Sequence, residues 1–296
     1  MFVNILKSFL CTVYKEMSTY TSFMVQLAER LSKEREIKDS SVATYMRGLF
    51  SMNGKKPFNN LAFLRDTAEI EEVLEKYADS TKITFYTIAA TCLEFYKSKP
   101  GYKSAYLYYY DKMMKSRGEK TAEDAKNVKS AKQEAVWMEW ADVEKVREEL
   151  KKEVDAFINN KTLTEKEYDL LQRYVVLCLY TLVPPRRNAD YLFMHVVPVI
   201  TEAMSKELNY YQLSDHTFHF GKFKTVKSTA DAEKVLPVPV ELQTVLASYI
   251  KVHPLRRKKE FQLLVDVRGM PYPHMNQITR MLNKIFSKKV GSSHLR

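Results

Sequence analysis

Residues 164–190 read TEKEYDLLQRYVVLCLYTLVPPRRNAD. From about Thr164 to Val183 the segment is rich in Leu, Val and Tyr on most sides of a helix, so it reads as a helix largely inside a core. Pro184 and Pro185 stop it, because proline has no amide hydrogen to donate and its ring clashes with the preceding turn. Arg186 and Arg187 therefore emerge where a buried helix ends, with Asp190 three residues further on. Such a helix needs partners, and the flanking sequence supplies them. Upstream, Trp137 and Trp140 precede an amphipathic helix from about Asp142. Downstream come short β-rich runs at 195–200, 217–220 and 234–238. The last two flank residues 221–233, which predicts a hairpin with a long basic loop. A helix near 241–251, a strand near 262–267, a turn at Gly269-Met-Pro and a helix near 276–286 follow.

The first half of the chain reads as helices alone. Phe23, Leu27 and Leu31 form one apolar stripe, and Val42, Tyr45, Met46 and Leu49 another behind an Asp39-Ser40 cap signal. Asn53-Gly54 marks a turn, Ile70, Val73, Leu74 and Tyr77 a third helix, and 83–96 a fourth. Pro100-Gly101 breaks that one before a fifth begins near Tyr102. Tyr106, Tyr108, Tyr109 and Tyr110 read as core and helix contact, with base stacking as the alternative. Residues 117–130 are polar and read as a linker by composition, an exposed helix being the other possibility. The expected fold is mainly α (α+β). It comprises an N-terminal extension (1–16), a helical domain (17–116), a linker (117–135), and a mostly helical domain with a small antiparallel sheet (136–296).

Composition narrows the function classes. The 296 residues are 45% hydrophobic and 12% aromatic, as a globular chain requires. Seven glycines argue against glycine-rich nucleotide-binding folds and turn-rich β-sandwiches. A net charge of +11 attracts polyanions, nucleic acid foremost. No stretch is long and apolar enough to span a bilayer. Residues 1–14 are apolar but lack the basic start and small-residue cleavage site of a signal peptide, and Met17 is an alternative start. Cys11, Cys92 and Cys178 suit neither a disulfide framework nor a zinc site, so an intracellular protein with reduced thiols is expected.

Three places carry candidate chemistry: Pro184–Asp190, the basic run Lys222-Phe-Lys-Thr-Val-Lys227, and Ser292-Ser-His-Leu-Arg296. In this order and context they resemble the catalytic domain of the tyrosine recombinases (integrases), across most of the chain. That family has a Thr-Gly-Leu-Arg-x-x-Glu-like motif after a buried helix. Here Arg187 and Asp190 keep the Arg-x-x-acid spacing, Arg186 is the competing arginine, and the double proline resembles recombinases of large DNA viruses, virophages and related mobile elements. Residues 222–236 are similar to the family's Cre-like hairpin, which puts Lys224 at the catalytic lysine's position, with Lys222 and Lys227 as alternatives. Arg296 resembles the arginine of the family's His-x-x-Arg motif. Ser293 stands where that motif has histidine, and His294 lies one residue too late.

The resemblance implies site-specific DNA recombination or integration through a 3′-phosphotyrosyl intermediate, for a virus or mobile element. Arg187 and Arg296 would clamp the non-bridging oxygens of the scissile phosphate through forked hydrogen bonds. Lys224 would protonate the leaving 5′ oxygen, and Asp190 would support the site. The nucleophilic tyrosine would follow Arg296, so this 296-residue chain is expected to bind DNA without cleaving it. The implied partner is double-stranded DNA, gripped by a homo-tetramer in the nucleus or cytoplasm of a host cell, with no membrane, metal or cofactor. Lys33, Arg35, Lys38, Arg47, Lys55 and Lys56 are the candidate DNA contacts of the helical half. A non-catalytic DNA-binding protein and a type IB topoisomerase-like enzyme are the rival readings.

Overall fold

The computed structural model describes residues 21–160, 162–223 and 234–295. The chain is mainly helical with one small sheet, and it forms two compact units that divide between Val128 and Lys129.

The first unit is built from α1 (Ser22–Lys33), α2 (Asp39–Met52), α3 (Thr67–Leu74), α4 (Asp79–Leu93) and α5 (Lys103–Asp124). Apolar residues three and four apart fix which faces meet: Leu27 and Leu31 on α1, Val42, Met46 and Leu49 on α2, Ile70 and Leu74 on α3, all buried. Phe23 and Tyr45 pack at the rim of that core. Thr21 accepts a hydrogen bond from the Met24 amide and Asp66 one from the Glu69 amide, so α1 and α3 start on side-chain caps. Gly48 brings α2 against α4, since a Cβ there would stand 2.5 Å from Ile88 Cδ1. Helix α5 runs on through Asp124, so residues 117–124, expected from composition to open a linker, are its exposed final turns.

In the second unit, a short α6 (Ala131–Glu134) precedes α7 (Trp140–Asp155) and α8 (Glu165–Thr181). Helix α8 is the central element: ten of its residues are buried, and α7 and two later helices, α10 (Val240–Val252) and α11 (Gln277–Phe286), pack on it. Thr164 and Glu167 form a reciprocal capping box at its start. Its one buried polar side chain, Gln172, donates to Tyr249 Oη and Val265 O, each at 2.7 Å.

The sheet has the order β4-β3-β2-β1-β5, from β1 (Met194–Val197), β2 (Asn209–Gln212), β3 (Thr217–Phe220), β4 (Lys234–Pro237) and β5 (Phe261–Gln262). The expected hairpin is there, as β3 and β4 pair antiparallel. The sheet is mixed, however, rather than antiparallel, because β2 pairs parallel to β1. Residues 198–208 carry the chain back to the start of β1 before β2 begins, which forces the parallel register. The strand expected at 262–267 pairs only at its beginning, and Val265 makes an isolated bridge to Pro271.

Candidate functional site

The register places residues 194, 209 and 220 at one end of the sheet. The short helix α9 (Asn188–Leu192) runs straight into β1 at that end, and the β3–β4 hairpin leaves from it. Two of the three sequence motifs therefore start from the same place.

Beyond Pro184-Pro185, Arg187 has extended backbone and is the N-cap of α9. The two arginines part there. Arg186 folds inward: its Nε lies 3.2 Å from Asp190 Oδ2, and its guanidinium sits 4.2 Å from the Phe220 ring centroid and 5.3 Å from that of Phe223. Arg187 is exposed and has no ion pair among the described residues. Asp190 is buried, and burial raises its carboxyl above the usual aspartate range against the opposing pull of the Arg186 and Arg187 charges. Arg186 is thus an internal brace, and Arg187 is the arginine free to meet a ligand.

Two asparagines tie the motifs together. Buried Asn209, at the start of β2, donates from Nδ2 to Asp190 O (3.0 Å) and accepts at Oδ1 from the Lys222 amide (2.9 Å). The backbone at Asp190 and the base of the hairpin are thereby fastened to one side chain. Gly221 makes this possible, because a Cβ there would stand 2.0 Å from Lys206 O. Asn188 accepts from Tyr180 Oη (3.0 Å) and donates to Thr279 Oγ1 (3.0 Å) on α11. The 3-10 turn of the terminal motif, Ser292–His294, packs on the same helix α11. Val290 and Leu295 are buried in the core of this unit. Between them Ser292–His294 forms one 3-10 turn that leaves Ser293 and His294 exposed, the His294 Nδ1 accepting from the Gly291 amide at 3.0 Å.

Lys222 is exposed at the hairpin base, whereas Lys224, Lys227 and Arg296 lie outside the described residues. On the first unit all six candidate DNA contacts are exposed. Arg35 is paired with Glu94, Lys33 stands 3.8 Å from Glu29, and Arg47 donates to Ala43 O within its own helix. Lys38, Lys55 and Lys56 have no ion pair among the described residues.

Sequence reasoning missed Asn188, Asn209 and Thr279, for which no local signal exists. It also missed a basic hollow of about 530 Å³ beside the start of α5, lined by Lys97, Lys99, Lys103 and Tyr106. Within the tyrosine cluster Tyr109 is buried and Tyr108 donates to Glu71, but Tyr106 and Tyr110 stack on each other at the surface side of α5. Among the described residues no His, Cys, Asp and Glu cluster could hold a metal ion, and no helix is long and apolar enough to cross a membrane. Cys92 and Cys178 are buried, and burial pushes both thiols up, Cys178 to about 12. Compared with known family profiles, characterised proteins and solved structures, the chain has no match in any of the three.

Proposed function

We propose that this chain supplies the DNA-binding and phosphate-binding site of a DNA breaking-rejoining enzyme of the tyrosine recombinase kind. The observation that carries the reading is that Asn209 joins the first two motifs, far apart in sequence, while α9 of the first and the 3-10 turn of the third both pack on α11. A solvated basic surface gives no reason for buried amides to hold an arginine turn and a lysine hairpin together.

In this reading Arg187 and Arg296 grip the non-bridging oxygens of a DNA phosphate, where negative charge grows as a tyrosine hydroxyl attacks. Lys224, on the hairpin anchored through Lys222, donates the proton that the leaving 5′ oxygen needs. Asp190 and Arg186 keep the arginine turn in shape. The exposed lysines of the helical unit, those of the α5 hollow included, suit phosphate contacts that set position rather than sequence. The partner is duplex DNA, and strand exchange on two duplexes would require a homo-tetramer.

The test is a nicked suicide duplex incubated with the protein from the full reading frame that contains these residues. A denaturation-resistant adduct through tyrosine, lost in Arg187→Ala, is the expected result. An adduct unaffected by Arg187→Ala overturns the site assignment, and no adduct at all leaves a DNA-binding role without strand breakage.

A further inference from the structure

The basic run 256–259, Arg-Arg-Lys-Lys, belongs to none of the three motifs and lies in the loop that leads into β5. Strand β5 is one edge of the sheet, and the β3–β4 hairpin is at the other. Strand β5 pairs antiparallel with β1, so the run enters β5 from the end of the sheet opposite to residues 194, 209 and 220, where α9 and the hairpin base lie.

Unlike a chance charge cluster on a loose loop, this run is held by a built support. His253 is buried, its ring 4.6 Å from that of Phe261 and 5.3 Å from that of Tyr249, and its Nδ1 accepts from the Leu255 amide at 3.1 Å. Two turn hydrogen bonds follow, Arg256 N to His253 O and Lys258 N to Leu255 O. A second turn, 266–270, leans on the first. Gly269 has φ +80° and no room for a Cβ, which would stand 2.7 Å from Leu255 Cδ2. Asp266 Oδ1 locks that turn by accepting from the amides of Arg268 and Met270. The two turns together present Arg256, Arg257, Lys258, Lys259 and Arg268, all exposed.

None of these five cations has an ion pair among the described residues. The adjacent carboxylate, Glu260, is turned to His195, with 2.7 Å between Oε1 and Nδ1. Five cations on a braced platform with their own carboxylates engaged elsewhere make a local positive field that a polyanion can satisfy. Of the large apolar residues only Met270 is exposed beside them, which is too little to enter a bilayer.

We infer that this double turn is a second duplex-DNA contact of the chain, gripping phosphates away from the candidate site. It shares with the proposed function only the premise that the partner is DNA. Phosphate contacts of this kind release condensed cations, so each one lost lowers the slope of log affinity against log salt by about 0.9.

The experiment is a fluorescence-anisotropy titration of a 30-base-pair duplex over a salt series with three proteins. These are the native chain, the platform variant Arg257→Glu/Lys258→Glu/Arg268→Glu, and a charge-matched control, Lys145→Glu/Lys152→Glu/Lys166→Glu. The platform variant is expected to bind tenfold or more weakly than the control, with a slope shallower by about 2–3. Equal loss in both variants would overturn the inference as a bulk-charge effect while leaving the proposed function standing. Native protein that fails to bind duplex would sink both. Loss of binding to phosphatidylserine vesicles with duplex binding intact would also overturn it.

Discussion

The two units handle polar groups in opposite ways. In the first, every fully buried side chain among the described residues is apolar or aromatic. Its main polar cluster joins half-buried Glu71, Tyr108 and Lys112 to the hydroxyl of buried Tyr86. In the second, Gln172, Asp190, Asn209, His253 and Ser292 are buried. Burying a polar group costs free energy unless it is hydrogen-bonded. The first unit meets that cost at the buried Tyr109 hydroxyl, which has no hydrogen-bond partner among the described residues, so the five buried polar side chains of the second call for a reason beyond stability. Two of the five, Asp190 and Asn209, lie where the motifs converge, and His253 lies under the basic platform. The first unit is a packing solution, and the second is a packing solution built around geometry that has to be held.

The largest effect expected from this contrast separates two adjacent residues. Arg187→Ala should cut adduct formation on the suicide duplex about a hundredfold or more, while the melting temperature stays within a degree or two of native. Exposure and lack of a partner make that arginine dispensable for folding. An Arg187→Ala protein that is fully active, or one that fails to fold, breaks the division of labour.

Arg186→Ala should behave in the opposite sense. Removing it leaves the Asp190 carboxylate buried without its partner and uncovers Phe220 and Phe223, a loss of about 2–3 kcal/mol. Urea unfolding of this chain reads it directly. A cost under 0.5 kcal/mol would mean the pair is ornamental and Asp190 is held by backbone alone.

These two residues also show where sequence reasoning stops. Helix positions were legible because apolar spacing is local, and the β3–β4 hairpin because two β-rich runs flank one basic loop. Spacing to Asp190 favoured Arg187 and left Arg186 as the alternative, but the inward role of Arg186 had no local signal, since it depends on Phe220 and Phe223, more than thirty residues away. Strand β2 escaped notice because Asn-Tyr-Tyr-Gln has no alternating pattern, and its parallel partner is set by tertiary return of the chain. The final turns of α5 passed for a linker because exposed helix and linker share a polar composition. A lone asparagine such as Asn209 has no signature at all until both its neighbours are seen.

Asn209→Ala tests that hidden link and should cost somewhat less, about 2 kcal/mol, by stranding the Lys222 amide and the Asp190 carbonyl. Hydrogen exchange should speed up at the Lys222 amide while the first unit keeps its protection. Unchanged exchange at Lys222 would show that the hairpin base is fixed by β3–β4 pairing instead.

The smallest expected effect is a response to pH, and it divides the units most cleanly. All six histidines lie beyond residue 128, so the first unit has none to titrate. Burial lowers the His253 imidazole from its ordinary 6.5 to about 4, with the nearby Arg256 charge acting in the same direction. The nearby Leu263 backbone opposes this only in part. Because the folded-state value is the lower one, the unfolded chain takes up the proton first as pH falls. Stability from this group is therefore complete above about pH 6.5, declines below it, and levels off once pH passes about 4. Between pH 6.5 and 5.5 the second unit should lose about 1 kcal/mol, and the first nothing from histidine. Calorimetry across that window should move only the transition of the second unit, and His253→Phe, which keeps a ring between Tyr249 and Phe261, should flatten its slope. If both transitions shift together, or if His253→Phe leaves the slope intact, the acid sensitivity comes from carboxylates shared by both units, and the buried histidine is not what sets them apart.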